Sequence, residues 1–147
     1  MVTFAPIVHV VDDDESFRTA IARLLRATNY EVRTYTSAND FLSRLFDDAA
    51  GCIVLDLRMP GVSGLALQEA LATRLDGRLP IIFLSGHGET RARTLAMQAG
   101  AIAFLYKPVQ PIDLIEAIQK AFKCDAENRS ARERSKQVTP EAAPPRV

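Results

Sequence analysis

Short apolar or alternating runs occur five times along the chain, and each is followed by a segment whose apolar residues recur at helical spacing. Short runs bounded by polar or turn residues are typical of β-strands, and the longer periodic segments are typical of amphipathic helices. The predicted strands are residues 7–11, 31–35, 53–56, 81–84 and 101–106. The predicted helices are residues 16–28, 37–45, 64–75, 89–99 and 111–122.

The regular alternation of strand and helix predicts an α/β fold. Such units are joined by right-handed crossovers, which place the strands parallel and the helices on both faces of the sheet. The run Ile53-Val54-Leu55 has no polar position, as expected for a central strand that is buried on both faces. We therefore expect a three-layer domain with a doubly wound, parallel, five-stranded sheet.

The character of the chain changes near residue 123. Residues 125–137 are rich in Arg, Glu, Lys and Ser without an apolar stripe, and three prolines follow between residues 139 and 147. A segment of this composition cannot bury enough apolar surface to order itself. The sequence predicts one domain over residues 5–123 and a polar extension over residues 124–147, a solvated helix that frays into a disordered tail.

Composition restricts the partners and the compartment. The chain has 18 basic and 18 acidic residues, so its zero net charge gives no general attraction to nucleic acid or to an anionic membrane. No apolar run approaches the roughly 20 residues that cross a bilayer, and no signal-peptide pattern opens the chain. Cys52 and Cys124 are expected to be thiols in a reducing compartment. We expect a cytoplasmic protein that binds neither membranes nor nucleic acid directly.

Polar side chains stand at the carboxyl ends of four predicted strands: Asp12 and Asp13, then Asp56, Ser85 and Lys107. These ends share one edge of a parallel sheet, where open α/β sheets bind ligands, so the five side chains are expected to converge. Three carboxylates repel one another, and one lysine cancels only one of their charges. A divalent cation would cancel the other two, and oxygen ligands with open positions suit Mg²⁺.

Four segments together resemble the receiver domain of two-component response regulators, in the right order and spacing. They are Val10-Val11-Asp12-Asp13-Asp14, Val54-Leu55-Asp56-Leu57-Arg58-Met59-Pro60-Gly61, Leu84-Ser85-Gly86-His87-Gly88 and Lys107-Pro108. The second and third segments most resemble the FixJ-like subgroup, here in a single-domain form without the usual helix-turn-helix output. The resemblance implies a flavodoxin-like sheet with strand order 2-1-3-4-5.

The resemblance also implies an acceptor and a metal site. Asp56 would accept a phosphoryl group from a sensor histidine kinase or a phosphotransfer protein. Asp13 would bind Mg²⁺ directly, and Asp12 would bind it through water or support it. Asp56 and the backbone carbonyl of Arg58 would complete the protein ligands. The protein would then be a signalling switch that catalyses only its own phosphorylation and dephosphorylation.

Further residues would contact the phosphoryl group or transmit its presence. Ser85 would donate a hydrogen bond to a phosphoryl oxygen, and Lys107, before a cis Pro108, would pair with another. Ser85 and Phe104 would form the switch, and Arg58 and His87 would tune hydrolysis. The output would be a changed protein-binding surface on the fourth helix, fifth strand and fifth helix, with a phosphorylation-dependent homodimer as one form.

Simpler interpretations stay open at this point. Ser85 can merely end a strand, Phe104 can be an ordinary core aromatic, and His87 lies in a Gly-flanked loop where histidines are usually solvated. A haloacid-dehalogenase-like phosphohydrolase would need an aspartate where Arg58 stands. An FMN-binding flavodoxin would need a small-residue phosphate loop where three consecutive aspartates stand. A phosphate-independent binding module would be expected to lack Asp56, the metal ligand or the lysine, and none is lost.

Overall fold

The computed structural model describes residues 6–45, 50–75, 79–86 and 88–137. The strands are β1 (Ile7–Val11), β2 (Glu31–Tyr35), β3 (Gly51–Asp56), β4 (Ile81–Ser85) and β5 (Ala103–Tyr106). The helices are α1 (Glu15–Ala27), α2 (Ala38–Arg44), α3 (Gly64–Leu75), α4 (Thr90–Gln98) and α5 (Pro111–Gln137). The predicted order of strands and helices is confirmed.

The strands form one parallel sheet in the order β2-β1-β3-β4-β5. In the centre of the sheet, Val10 of β1 lies opposite Thr34 of β2 on one side and Val54 of β3 on the other. The predicted fold class and the strand order that the resemblance implies are both confirmed.

The sheet is covered by apolar layers on both faces, and β3 is buried at every position. Successive residues of a strand face opposite sides, so neighbouring residues of β3 enter different layers. One layer packs the sheet against α2, α3 and α4, and its members include Val11, Ile53, Leu55, Phe41, Leu67, Leu71 and Ala96. The other packs the sheet against α1 and α5, and its members include Val10, Cys52, Val54, Leu25, Leu114 and Ile118.

Local signals set where two helices begin and where one ends. Asp14 is the N-cap of α1, and its side chain accepts a hydrogen bond from the backbone N–H of Phe17. Ser37 caps α2 in the same way through the N–H of Asp40, at 3.0 Å. After α1, Asn29 takes a left-handed conformation with a φ of 72°, which asparagine tolerates better than most residues.

The β2 strand forms one edge of the sheet. The carbonyl of Tyr35, the last residue of β2, accepts a hydrogen bond from the N–H of Asp12, which directly follows β1. Because successive carbonyls of a strand point in opposite directions, every second carbonyl of β2 faces away from the sheet. Two of these outward carbonyls are occupied by arginines. Nη2 of Arg26 donates to the oxygen of Val32 at 3.2 Å, and Nη2 of Arg44 donates to the oxygen of Thr34 at 2.7 Å.

The fifth helix continues through the first part of the predicted polar extension as one element with the helix before it. Its apolar stripe ends near Phe122, yet the helix continues to Gln137. Asp125 is only 5% exposed, and its Oδ2 accepts from the N–H of Gly51 at 3.0 Å and from Nε of Arg129 at 3.2 Å. The prediction of a solvated extension is therefore wrong at Asp125, which ties α5 to the start of β3. Residues 138–147 lie outside the described residues, and the domain boundary near residue 123 stays a prediction.

Both cysteines are free thiols. Cys52 is buried in β3, and burial together with the nearby Asp125 carboxylate raises its pKa above the ordinary value. Cys124 is half-buried on α5. Within the part of the chain that the structure describes, no helix combines the length and the apolar character that a bilayer crossing requires.

Candidate functional site

The carboxyl ends of the strands bring the predicted site residues to one edge of the sheet. Asp12 directly follows β1, Asp56 ends β3, Ser85 ends β4 and Lys107 directly follows β5. Because the strands are parallel and adjacent, these side chains share that edge.

Three carboxylates lie close together at this edge. One carboxylate oxygen from each of Asp12, Asp13 and Asp56 falls within 4.8 Å of the other two. Asp12 and Asp56 are buried, at 1% and 8% exposure, whereas Asp13 is exposed. The cluster therefore combines two enclosed acids with one that faces solvent.

Asp12 is held by hydrogen bonds to both carboxylate oxygens and to its main chain. Its Oδ1 accepts from the N–H of Asp14 at 2.8 Å, and its Oδ2 accepts from Nζ of Lys107 at 3.3 Å. Nη1 of Arg18 donates to its backbone carbonyl at 2.7 Å. This network leaves Asp12 little freedom to turn.

Lys107 connects the acidic cluster to the last two strands. Its Nζ is 3.5 Å from Oδ1 of Asp56, and it also stands 4.2 Å from the ring centroid of Phe17. Its backbone N–H donates to the carbonyl of Ser85 at 2.7 Å. The peptide bond to Pro108 is cis, as the resemblance implies.

Asp56 lies in surroundings that favour its neutral form. Burial is the main cause and the Asp12 carboxylate the second, and together they raise the pKa of Asp56 to about 6. Lys107 and a hydrogen bond from the N–H of Arg58 act in the opposite direction but do not cancel the effect. Three carboxylates beside one lysine also leave the cluster short of positive charge.

Ser85 and Phe104 are both buried near this edge. Oγ of Ser85 has no hydrogen-bond partner among the described residues, so its hydroxyl is available to another group. Phe104 is 6% exposed, with its ring centroid 5.9 Å from that of Phe83 and 5.6 Å from that of Tyr106. Phe104 is already packed inward, and its predicted role as a switch stays a prediction.

Arg58 and His87 were predicted to tune the site. The side chain of Arg58 is largely exposed and pairs with the carboxylate of Glu89, which directly precedes α4. This ion pair raises the pKa of Arg58 and lowers that of Glu89. His87 lies outside the described residues.

Three contacts of the site were missed by sequence reasoning. Helical spacing places Phe17 on the apolar face of α1 but does not indicate its contact with Lys107, and it singles out neither Arg18 nor Glu89. Arg18 and Phe17 stand in the first turns of the helix that follows the acidic run, which is the signal that could have drawn attention to them. For Glu89, the sequence contains no comparable signal.

The family model for the response regulator receiver domain matches residues 8–119. The chain is 42% identical over 125 residues to nodulation protein W of Bradyrhizobium diazoefficiens, and 44% identical over 123 residues to transcriptional regulatory protein TdiR of Thauera aromatica. These matches cover 85% and 84% of this chain but 55% and 54% of the two relatives. The chain thus spans about half the length of the curated relatives it matches.

Solved structures agree with the family match. The response regulator StyR superposes with a TM-score of 0.85 at 44% identity, covering 91% of this chain and 67% of StyR. FixJ-N superposes with a TM-score of 0.75 at 37% identity, covering 82% of this chain and 96% of FixJ-N. Receiver domains of this kind take phosphoryl groups from histidine kinases. The chain belongs to the response regulator receiver domain family, the phosphorylation-controlled signalling domains of two-component systems.

Proposed function

We propose that Asp56 accepts the phosphoryl group, from a sensor histidine kinase or a phosphotransfer protein, with Mg²⁺ bound beside it. The observation that carries this proposal is the convergence of the Asp12, Asp13 and Asp56 oxygens within 4.8 Å, with Nζ of Lys107 3.5 Å from Asp56. This convergence combines a nucleophile, a set of metal ligands and a fixed positive charge.

The residues at this edge fit a magnesium ion. Carboxylate oxygens are hard ligands, and three carboxylates beside one lysine leave the cluster with too little positive charge. Asp13 would bind the ion directly, Asp12 would bind it through water or support it, and Asp56 and the backbone carbonyl of Arg58 would complete the set. Bound Mg²⁺ would offset the charge of the phosphoryl oxygens.

The chain's own residues then perform the transfer. An oxygen of Asp56 forms the new bond to phosphorus while the bond from phosphorus to the donor breaks, and the donor leaves with that electron pair. Lys107 supplies a positive charge for one phosphoryl oxygen, and the hydroxyl of Ser85 donates a hydrogen bond to another. The domain promotes its own phosphorylation and dephosphorylation and has no other substrate.

The output is a change in the surface formed by α4, β5 and α5. A phosphoryl group adds negative charge and three acceptor oxygens, which Ser85 and Lys107 follow by moving. The same surface exposes Leu95, Tyr106 and Ile112, which suits a homodimer or a downstream protein that docks after phosphorylation. The balanced charge gives no general attraction to nucleic acid or to an anionic membrane, which supports an output through protein contacts, and the two free thiols support a reducing, cytoplasmic location.

Incubation with acetyl phosphate and Mg²⁺, followed by intact mass and site mapping, tests the acceptor. Wild type should gain one phosphoryl group on Asp56, and chelation of Mg²⁺ should abolish the gain because the charge of the cluster is then uncompensated. Asp56→Asn should gain none, because an amide oxygen is a poor nucleophile.

Asp113→Asn is the matched control, since Asp113 is an exposed aspartate in the first turn of α5. It should be labelled as wild type is. Labelling of Asp56→Asn at the wild-type level, or of wild type at another aspartate, would contradict the assignment.

A further inference from the structure

The ammonium group of Lys107 has an aromatic neighbour as well as its two carboxylates. Nζ lies 4.2 Å from the ring centroid of Phe17, a half-buried residue in the first turn of α1. The face of an aromatic ring carries partial negative charge and attracts a cation at this distance. Lys107 therefore stands between a ring on α1 and the acidic cluster.

We propose that Phe17 is a positioning residue that holds the Lys107 ammonium group beside the acceptor. The inference rests on the proposed function of Asp56. It assigns to Phe17, which does not touch the reacting atoms, an effect on the rate at which Asp56 is phosphorylated.

The carboxylates alone do not fix the ammonium group. Nζ is 3.3 Å from Oδ2 of Asp12 and 3.5 Å from Oδ1 of Asp56, both longer than the roughly 2.7–2.9 Å of a strong charge-assisted hydrogen bond. The main chain of Lys107 is fixed by its hydrogen bond to the Ser85 carbonyl, but four flexible carbons separate the main chain from the charge. The ring of Phe17 is a third contact, and it restricts the position of the ammonium group further.

A ring suits this task better than another acidic group would. A carboxylate at the position of Phe17 would compete with the phosphoryl oxygens for Lys107, and it would add a negative charge to a cluster that already lacks positive charge. The ring attracts the cation without cancelling its charge. The incoming phosphoryl group therefore meets a lysine that is already in place and that no additional carboxylate holds back.

Asp14, the third aspartate of the acidic run, gains a role from this arrangement. As the N-cap of α1 it accepts from the N–H of Phe17 at 3.2 Å, while its own N–H donates to Oδ1 of Asp12 at 2.8 Å. The cap thus fixes the first turn of α1 relative to the acidic cluster. It links the backbone of Phe17 to one of the two carboxylates that face Lys107.

Two substitutions at Phe17 test the proposal. Phe17→Leu keeps an apolar side chain and removes the ring face, whereas Phe17→Tyr keeps the face. With acetyl phosphate and Mg²⁺, phosphorylation of Phe17→Leu should be about three- to tenfold slower than that of wild type, and that of Phe17→Tyr should be unchanged within about twofold. In proton NMR, the ε-methylene signals of Lys107 should show an upfield ring-current shift in wild type and Phe17→Tyr that Phe17→Leu loses.

The outcomes separate this inference from the proposed function. If wild type is labelled and Phe17→Leu is labelled equally fast, or if both variants are equally slow, the positioning role is overturned while Asp56 remains the acceptor. If wild type takes up no phosphoryl group, the proposed function itself fails. The NMR shift needs no phosphorylation, and its absence from wild type would overturn the inference even if Phe17→Leu did not fold.

Discussion

At the scale of single residues, His9 shows how strongly the core of the sheet acts on a titratable group. Its side chain is enclosed on β1, where Nδ1 lies 2.9 Å from the hydroxyl of Tyr35 and the ring packs against Phe41. Nε2 has no hydrogen-bond partner among the described residues. Burial, and secondarily the positive charge of Arg33, lower the pKa of His9 from 6.5 to about 4. The folded state therefore favours neutral His9.

The depressed pKa of His9 predicts a loss of stability in mild acid. Between the unfolded pKa of 6.5 and the folded value of about 4, the unfolded state binds a proton that the folded state rejects, so stability falls as the pH falls through this window. From pH 7.5 to pH 5 the loss should be about 2 kcal/mol. Urea unfolding of wild type and His9→Gln at both pH values measures it.

The comparison with His9→Gln is essential because Asp56 acts in the opposite direction. Its raised pKa means that the folded state gains stability relative to the unfolded state as the pH falls through about 6. The contribution of His9 is the difference between wild type and His9→Gln in how much stability each loses from pH 7.5 to pH 5. An equal pH dependence in the two proteins would contradict the prediction.

The site residues differ in how far the sequence could predict them. Asp56 and Lys107 could be found because each directly ends or follows an apolar strand, and parallel strands bring those ends together. The ring of Phe17 against Lys107 could not, since helical spacing identifies an apolar face but not the cation that it meets. The pairing of Arg58 with Glu89 joins two loops whose separation depends on the folded sheet.

At the scale of secondary structure, the sequence predicts the strands to within a few residues and a helical extension after residue 123, but not the burial of Asp125 within that extension. An apolar stripe marks where a helix faces the core, and in α5 this stripe ends near Phe122. The helix itself continues because the Ala, Glu, Arg and Lys residues that follow are good helix formers. The bond from Asp125 to Gly51 joins residues that are distant in sequence, and no local pattern indicates it.

The burial of Asp125 predicts that a residue outside the expected domain contributes to its stability. Asp125→Ala leaves the N–H of Gly51 buried without its acceptor, which should cost about 1–3 kcal/mol in the free energy of unfolding. Urea unfolding measures this cost. Glu127→Ala, an exposed neighbour on α5, is the matched control and should change stability by less than about 0.5 kcal/mol. Equal stabilities for the two variants would show that the contact is not needed.

At the scale of the whole molecule, the edge that carries the acidic cluster also borders the α4, β5 and α5 surface. Ser85 ends β4 with a hydroxyl that no described residue binds, and Phe104 lies buried on the neighbouring strand. Phosphorylation can shift the equilibrium between two packings of these residues only if the phosphoryl group interacts more favourably with one packing than with the other. Sequence could predict which residues border the surface, but not which packing the unphosphorylated protein adopts.

Substitution of Phe104 separates phosphorylation from its output. Phe104→Ala should leave phosphorylation of Asp56 intact while reducing any phosphorylation-dependent association, because the ring no longer responds to the movement of Ser85. Mass spectrometry measures the first effect and light scattering the second. Removal of a buried ring also costs about 3–5 kcal/mol of stability, so Phe104→Leu serves as the milder variant. Unchanged association in both variants would identify Phe104 as an ordinary core residue.

The outer edge of β2 affects whether copies of this protein can associate by pairing their strands. An exposed strand edge offers unpaired carbonyls to a strand of another chain, which is a common start of aggregation. In this protein the side chains of Arg26 and Arg44 already occupy two outward carbonyls of β2, those of Val32 and Thr34. A second strand would have to displace two charged side chains before it could pair there. The arginines thus oppose growth of the sheet beyond β2, which leaves β5 as the edge at which another strand would meet no such obstacle among the described residues.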